Sequence, residues 1–327
     1  MPKIKALAEW SKQELLALSL PHEKTDWKPY LSEILSAYYD FALAVSKFQK
    51  VLFIAPNESD FKPFKDIKNA EFFLCPTNDT WIRDYGFIDV CEGQRLISYD
   101  FSFNAWGNKF KSELDNTVNS QLFKEHLKGE LREISLILEG GSIDFNGEGV
   151  MLTTTKCLLN SNRNANLSKA QLEARLKELF GLKSIIWLEN GFIKGDDTDS
   201  HIDTLARFIA SDTIAFSICE DEKDEHFEPL QRMKKELEKT SFKLVELPLP
   251  SAKFYEGRRL GATYANFVFI NEALIVPIYD DKMDELVCKR LSEALPNKKI
   301  VPVRAEIFLR QNGSLHCACQ NRFLGQR

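Results

Sequence analysis

Cys317 lies in the run Gly313-Ser314-Leu315-His316-Cys317-Ala318-Cys319, close to the end of the chain. A second polar knot lies far upstream, at Gly195-Asp196-Asp197-Thr198-Asp199-Ser200-His201-Ile202-Asp203. A thiol and an isolated histidine among carboxylates are the residue types of cysteine nucleophilic catalysis with a general acid/base. Asp199 and Asp203 flank His201 and would raise its pKa, favouring the imidazolium that can protonate a leaving amine. Two more segments carry polar groups of interest, Thr77-Asn78-Asp79-Thr80-Trp81-Ile82-Arg83-Asp84-Tyr85-Gly86 and Leu138-Glu139-Gly140-Gly141. Paired glycines beside Glu139 permit close backbone approach. Each residue also has a plainer reading. A free cysteine is usually a small buried hydrophobe, Asp84 reads as an ion pair with Arg83, Asp203 as a turn cap, and Trp81 as core. Of the other histidines, His126 and His226 lie in charged helical surroundings and read as solvated, and His316 as structural, because neighbours on a strand face opposite ways.

Those residues must be held by an alternation of short elements. A long amphipathic helix is expected from about Trp27 to Phe48, then a buried strand from Lys50 to Pro56. Strands are expected at Glu71 to Cys75 and Phe87 to Val90. Ser142 to Phe145 and Val150 to Thr153 flank Asn146-Gly147, a hairpin signal because both turn residues tolerate positive φ. Ser168 with Gln171 forms a capping box, and Gly181 supplies the stop after Leu172, Leu176 and Leu179. Further strands are expected at Ser184 to Leu188, Thr204 to Ala210, Thr213 to Ile218, Asn266 to Ile270, Ala273 to Ile278 and Ile300 to Val303. Helices are expected at Phe227 to Lys239 and Asp281 to Leu295. Paired strands, a helix and a return strand recur, which makes the class α/β with mixed sheets.

Composition bounds the function. The 327 residues are 44% hydrophobic, enough for a large core. The 43 Lys and Arg against 48 Asp and Glu give a formal charge of −5, without the clustered positive charge of a nucleic-acid footprint. No apolar run reaches the roughly 20 residues that span a bilayer, and the start, Met1-Pro2-Lys3-Ile4-Lys5-Ala6, lacks a signal-peptide pattern. Seven scattered cysteines do not make a secreted disulfide framework. A cytoplasmic protein is expected.

In their order along the chain, the four polar segments resemble the agmatine deiminase branch of the guanidino-group-modifying enzymes, in the Porphyromonas-type peptidylarginine deiminase family. The agreement covers essentially the whole chain. The resemblance implies one catalytic domain over residues 1–327, folded as a five-bladed, pseudo-symmetric ββαβ propeller, the pentein fold, around a polar channel. It implies hydrolysis of agmatine to N-carbamoylputrescine and ammonia through an amidino-cysteine intermediate. It makes Cys317 the nucleophile, His201 the general acid/base and Glu139 the carboxylate paired with that histidine. Asp84 and Asp203 become the clamp on the guanidinium, a planar cation suited to bidentate carboxylates, and Trp81 its aromatic flank. Asp197 stands where the family has a longer Glu that meets the distal ammonium. Ser200 and Gln311-Asn312-Gly313-Ser314 also depart from the pattern, with a serine before the histidine and no glycine run before the cysteine. The implied partner is a small cationic guanidine, with neither metal nor other cofactor, no nucleic acid and no membrane; a homodimer is the assembly it allows. Three other readings stay open. One is deimination of free or peptidyl arginine, whose carboxylate would need Arg83, Arg163, Arg207 or Arg258. Another is a metal hydrolase using His201, Asp203, His316 and Cys317. The last is a guanidinium-binding protein without catalysis.

Overall fold

Parallel strand pairs need a crossover, and the helices of this chain supply one each time. The structure, a computed structural model, describes residues 3–325; Met1 and Pro2, where the segment read as lacking a signal peptide begins, lie outside the described residues. Strand Gln13–Ser19 runs parallel to Lys50–Ala55, which runs parallel to Ala70–Leu74. The first pair is joined through helix Leu31–Ser46, whose Ile34, Tyr38, Phe41 and Val45 recur at helical spacing and are buried. The antiparallel partner of Gln13–Ser19 is Cys319–Phe323.

The same unit, an antiparallel pair followed by a helix and a parallel return strand, recurs through the chain. Ile88–Glu92 and Arg95–Ser102 lead through helix Asp115–Glu125 to Glu130–Ile137, with Ile4–Ala6 added at the edge. Ile143–Phe145 and Val150–Thr154 lead through helix Lys169–Phe180 to Ser184–Leu188. Ala206–Ala210 and Thr213–Ile218 lead through helix Phe227–Leu237 to Lys243–Pro248. Val268–Ile270 and Ala273–Ile278 lead through helix Asp284–Ala294 to Lys299–Arg304. A two-stranded hairpin, Phe254–Tyr255 with Arg258–Arg259, lies outside these sheets. The mixed α/β class is therefore as expected. Among the described residues, no helix is long and apolar enough to cross a membrane.

The capping box at Ser168 and Gln171 is formed, and Gly181 ends that helix at φ 64°. Several boundaries move for local reasons. The first helix starts at Leu31 because Lys28–Tyr30 is a 3₁₀ turn containing Pro29. The strand expected from Thr204 starts at Ala206, after a 3₁₀ turn over Ile202–Thr204. The Asn146-Gly147 connection is longer than a two-residue turn. Gly147 and Gly149 take positive φ, whereas the Asn146 side-chain carbonyl accepts from the Glu148 and Val150 backbone N–H groups, both at 2.9 Å. His226 is buried, not solvated: Nδ1 meets Asp224 Oδ1 at 2.7 Å and Nε2 accepts from Lys194 N at 2.7 Å. His126 is partly buried against Glu71.

A short turn precedes the first strand of each three- or four-stranded unit, and two of these turns interlock. Ile82–Tyr85 packs on Gly140–Ser142 so closely that a Cβ on Gly140 would stand 2.1 Å from the Arg83 carbonyl oxygen. Backbone, unlike a flexible side chain, cannot swing aside. Gly140→Ala should therefore destabilise the protein by about 1–3 kcal/mol, read as a lower denaturant midpoint at unchanged slope. A wild-type midpoint would show that the two turns are free to separate.

Candidate active site

Asp84 sits in the Ile82–Tyr85 turn and is buried. Its Oδ1 accepts from Gly141 N at 2.8 Å and its Oδ2 from Trp106 Nε1 at 2.9 Å. The ion pair with Arg83 does not form. Arg83 turns away and donates to Gln320 Oε1 and Asn321 Oδ1, each at 2.7 Å. Trp106 reaches Asp84 from a left-handed turn in which Ala105, Trp106, Gly107 and Asn108 all have positive φ, 49° to 92°. Such backbone is costly for residues with a Cβ and persists where the surroundings enforce it. Gly141 makes the closest approach. A Cβ there would lie 2.7 Å from His201 Nδ1, 2.8 Å from Asp84 Oδ1 and 3.1 Å from Asp203 Oδ2. The paired glycines thus let three polar side chains converge on one backbone.

His201 lies 3.7 Å by Nδ1 from Asp84 Oδ1 and 3.9 Å by Nε2 from Glu139 Oε2. Its Nε2 has no hydrogen-bond partner among the described residues. The main partner of Glu139 is Arg163, whose Nε stands 2.9 Å from both carboxylate oxygens and whose Nη1 reaches Asp199 Oδ2 at 2.8 Å. Asp203 Oδ2 meets His316 Nδ1 at 2.7 Å and lies 3.7 Å from Cys317 Sγ. Asp203 therefore does not act as a simple turn cap. Asn266 completes the nest around the thiol: its Oδ1 accepts from His316 N at 2.9 Å, and its Nδ2 is 3.3 Å from Sγ.

Cys317 lies in a turn that leads into strand Cys319–Phe323 and does not close a strand, so the opposite-faces argument for His316 fails. Both side chains meet Asp203 Oδ2. All five expected residues, Cys317, His201, Glu139, Asp84 and Asp203, come together. Asp199 does not join them, because it faces Arg163 and Lys109.

Burial dominates the electrostatics. It opposes charge on His201, but Asp84, with Cys157 and Glu139 beside the ring, outweighs it and holds the pKa well above the ordinary imidazole value. The flanking Asp199, credited from sequence, is not among the causes. Burial raises Asp84 to about 6, helped by Asp203 and Glu139 and opposed by His201. Asp203 and Glu139 stay below the usual carboxylate range against their burial, the first through His316, the second through His201 and Arg163. The Cys317 thiol is pushed well up, first by burial and then by Asp203 and Asp84.

A narrow pocket leads to Cys317. Its walls include Asp26, Asp79, Asp84 and Asp197, with Trp81, Trp106 and Phe110 as aromatic surfaces. Trp81 packs on Gly313, whose Cβ would lie 2.5 Å from the ring. Asp197 Oδ2 accepts from Asn312 Nδ2 at 3.1 Å, so two of the departures in sequence touch each other. Asn312 and Ser200 both hold left-handed backbone, at φ 67° and 68°.

Arg163, Arg83 and Arg207 are buried in structural pairs. Arg258 donates to Asn312 and to the Arg310 carbonyl at the surface. Of the metal set weighed from sequence, His316 has both ring nitrogens engaged by Asp203 and Glu9 and so offers none to a metal. Glu139, Cys157 and His201 form a different cluster, with ligand-type atoms within 4.8 Å of one another. Sequence reasoning missed Trp106, Asn266, Cys157 and Glu9 as site residues and weighed Arg163 only as one of four arginines open to the carboxylate of an arginine substrate, not as the partner of Glu139. Asn266 alone carried a signal, since it stands shortly before a strand, as Asp84, Asp203 and Cys317 do.

The family model for Porphyromonas-type peptidyl-arginine deiminase matches residues 5–322. A structure of C. jejuni agmatine deiminase with substrate bound is 69% identical, covers 99% of this chain and 97% of that one, and superposes with a TM-score of 0.98. Agmatine deiminase of Enterococcus faecalis is 26% identical over 98% of this chain and 96% of that one, with a TM-score of 0.90. The agmatine deiminase of Pseudomonas fluorescens is 28% identical, covering 98% of this chain and 95% of its own length. With the match spanning every one of the four polar segments, the chain belongs to the Porphyromonas-type peptidyl-arginine deiminase family.

Proposed function

We propose that the protein hydrolyses agmatine to N-carbamoylputrescine and ammonia. The observation that carries this reading is a pocket ending at Cys317 whose walls hold four aspartates and, among the described lining residues, no Lys or Arg. Such walls suit a dication. Among the described lining residues they offer no cation to the carboxylate of free arginine, and the similarity to C. jejuni agmatine deiminase points the same way. The fold reading behind it is a single domain over residues 1–327, built as a five-bladed ββαβ propeller. The recurring sheet unit and the turn before each first strand support that arrangement. A cytoplasmic home and a homodimer accompany the proposal.

In this reading Asp84 and Asp203 grip the guanidinium edges, Trp81 flanks it, and Asp197 takes the distal ammonium. With the guanidinium bound, the Cys317 thiol gives its proton to solvent; the thiolate sulfur then attacks the guanidinium carbon, and the S–C bond forms as the C=N π pair moves onto nitrogen and the carbon becomes tetrahedral. His201, held charged by its carboxylate neighbours, protonates the departing nitrogen. The C–N bond breaks and ammonia leaves. Glu139 steadies the imidazole. Neutral His201 then takes a proton from water, which attacks the amidino-thioether; breaking the S–C bond returns the thiol and releases the ureido product. Water is the only co-reactant, so the chemistry calls for no metal or organic cofactor.

Cys317→Ser should abolish turnover while retaining substrate binding, because a hydroxyl is far less ionised than a thiol; loss of activity in Cys319→Ser instead would move the nucleophile. Because the pKa of Asp84 in the free enzyme is about 6, its ionised form dominates above that pH and is lost as pH falls. kcat/KM for agmatine should then decline below about pH 6, as a coupled limb of the carboxylate cluster; a profile flat to pH 5 refutes the clamp. The raised thiol predicts little thiolate absorbance near 240 nm at neutral pH in the free protein. An unreactive guanidinium ligand, by adding positive charge beside sulfur, should induce it. A free-protein thiol titrating below about pH 7 would instead establish a preformed Cys317–His201 ion pair.

A further inference from the structure

Behind the pocket, His316 bridges two carboxylates. Nδ1 meets Asp203 Oδ2 at 2.7 Å and Nε2 meets Glu9 Oε2 at 2.8 Å, with His316 and Asp203 buried and Glu9 nearly so. Glu9 is itself fixed. Its Oε1 accepts from Phe269 N at 2.7 Å, and its Oε2 is shared with fully buried Arg207, which also donates to Asp144 Oδ1 at 2.9 Å. Two carboxylate acceptors on one imidazole call for a proton on each ring nitrogen. The ring therefore cannot rotate or flip without leaving a buried carboxylate unsatisfied. Asp203 Oδ1, by contrast, is buried with no hydrogen-bond partner among the described residues.

Resting on the deiminase reading above, we propose that His316 is a positioning residue. Held by Glu9, its Nδ1–H binds Asp203 Oδ2 and so commits Oδ1 to the guanidinium of the substrate. The arrangement is the outer support that fixes a ligating side chain, and removing such supports typically costs 10–100-fold. It also explains why His316 adjoins the nucleophile: the main-chain N–H groups of His316 and Cys317 both point to Asn266 Oδ1, at 2.9 and 3.3 Å. One turn thus sets both the sulfur and the carboxylate it works beside.

Two substitutions separate the two halves of the bridge. In His316→Asn the amide nitrogen falls near the Nδ1 position and can still donate to Asp203. In His316→Gln it falls near the Nε2 position and reaches Glu9 only. His316→Asn should stay within about tenfold of wild-type kcat/KM for agmatine, and His316→Gln should lose at least about a further tenfold, at similar Tm. Affinity for an unreactive guanidinium ligand, measured by calorimetry, should follow the same order. Equal behaviour of the two variants, or a better His316→Gln, overturns the proposal, since a packing role would favour neither amide. If either variant is recovered unfolded, Glu9→Gln, whose single amide oxygen can accept either from Phe269 N or from the ring but not from both, should weaken guanidinium binding about tenfold; wild-type affinity overturns the proposal. Wild-type protein that binds guanidinium but leaves agmatine intact would refute the deiminase reading and leave the Asn–Gln comparison standing.

Discussion

An ionised carboxylate taken out of water costs several kcal/mol unless a partner compensates it, and Asp84, Glu139, Asp203 and Glu9 are gathered in one interior. Three of them have a cation in direct contact: Arg163 on Glu139, His316 on Asp203, and His316 with Arg207 on Glu9. Asp84 is held only by two neutral donors, Gly141 N and Trp106 Nε1, with His201 at 3.7 Å. Its raised pKa and the raised thiol of Cys317 follow first from burial and then from neighbouring carboxylates that no close cation offsets. A guanidinium supplies what the site lacks, so substrate binding and nucleophile ionisation become one electrostatic event.

The repeating unit explains how distant residues meet. Asp84, Gly141, Asp203, Asn266 and Cys317 each lie shortly before the first strand of a different sheet, Ile88–Glu92, Ile143–Phe145, Ala206–Ala210, Val268–Ile270 and Cys319–Phe323. These five residues, at similar positions of a recurring unit, meet at one site. The helices and return strands, with their apolar stripes, then act as supports that hold these turns at fixed spacing.

Elements with strong periodicity or end signals were legible in the sequence: the helix capped by Ser168, the strands at Lys50 and Ala273, and the alternation that defines the class. Gln13–Ser19 escaped because it is buried along nearly its whole length and carries a polar Gln13 whose amide bonds to Phe269 O. Glu130–Ile137 escaped because polar residues, three of them charged, occupy half of its eight positions. The five catalytic candidates were legible through their motifs. Their partners were not, because Arg163, Trp106 and Glu9 contribute through tertiary contacts that no local pattern announces. Charge near His201 was read from Asp199 and Asp203; Asp203 does face it, Asp199 turns to Arg163, and the structure adds Asp84 and Glu139 from far away along the chain. Where the family pattern has glycine, Ser200 and Asn312 adopt left-handed backbone, the conformation glycine takes most easily.

Strand Cys319–Phe323 lies against Gln13–Ser19, and Asn321 bonds to Gln13 across 308 residues of sequence. Cys317 is therefore positioned by a contact that can form only once nearly all of this chain has left the ribosome. Closing so long a loop is slow relative to local pairing. During synthesis the four preceding units can fold while the reactive thiol does not yet exist. A polypeptide interrupted before this turn would lack the nucleophile and also the imidazole that meets Asp203, which makes late translation the step that completes the site.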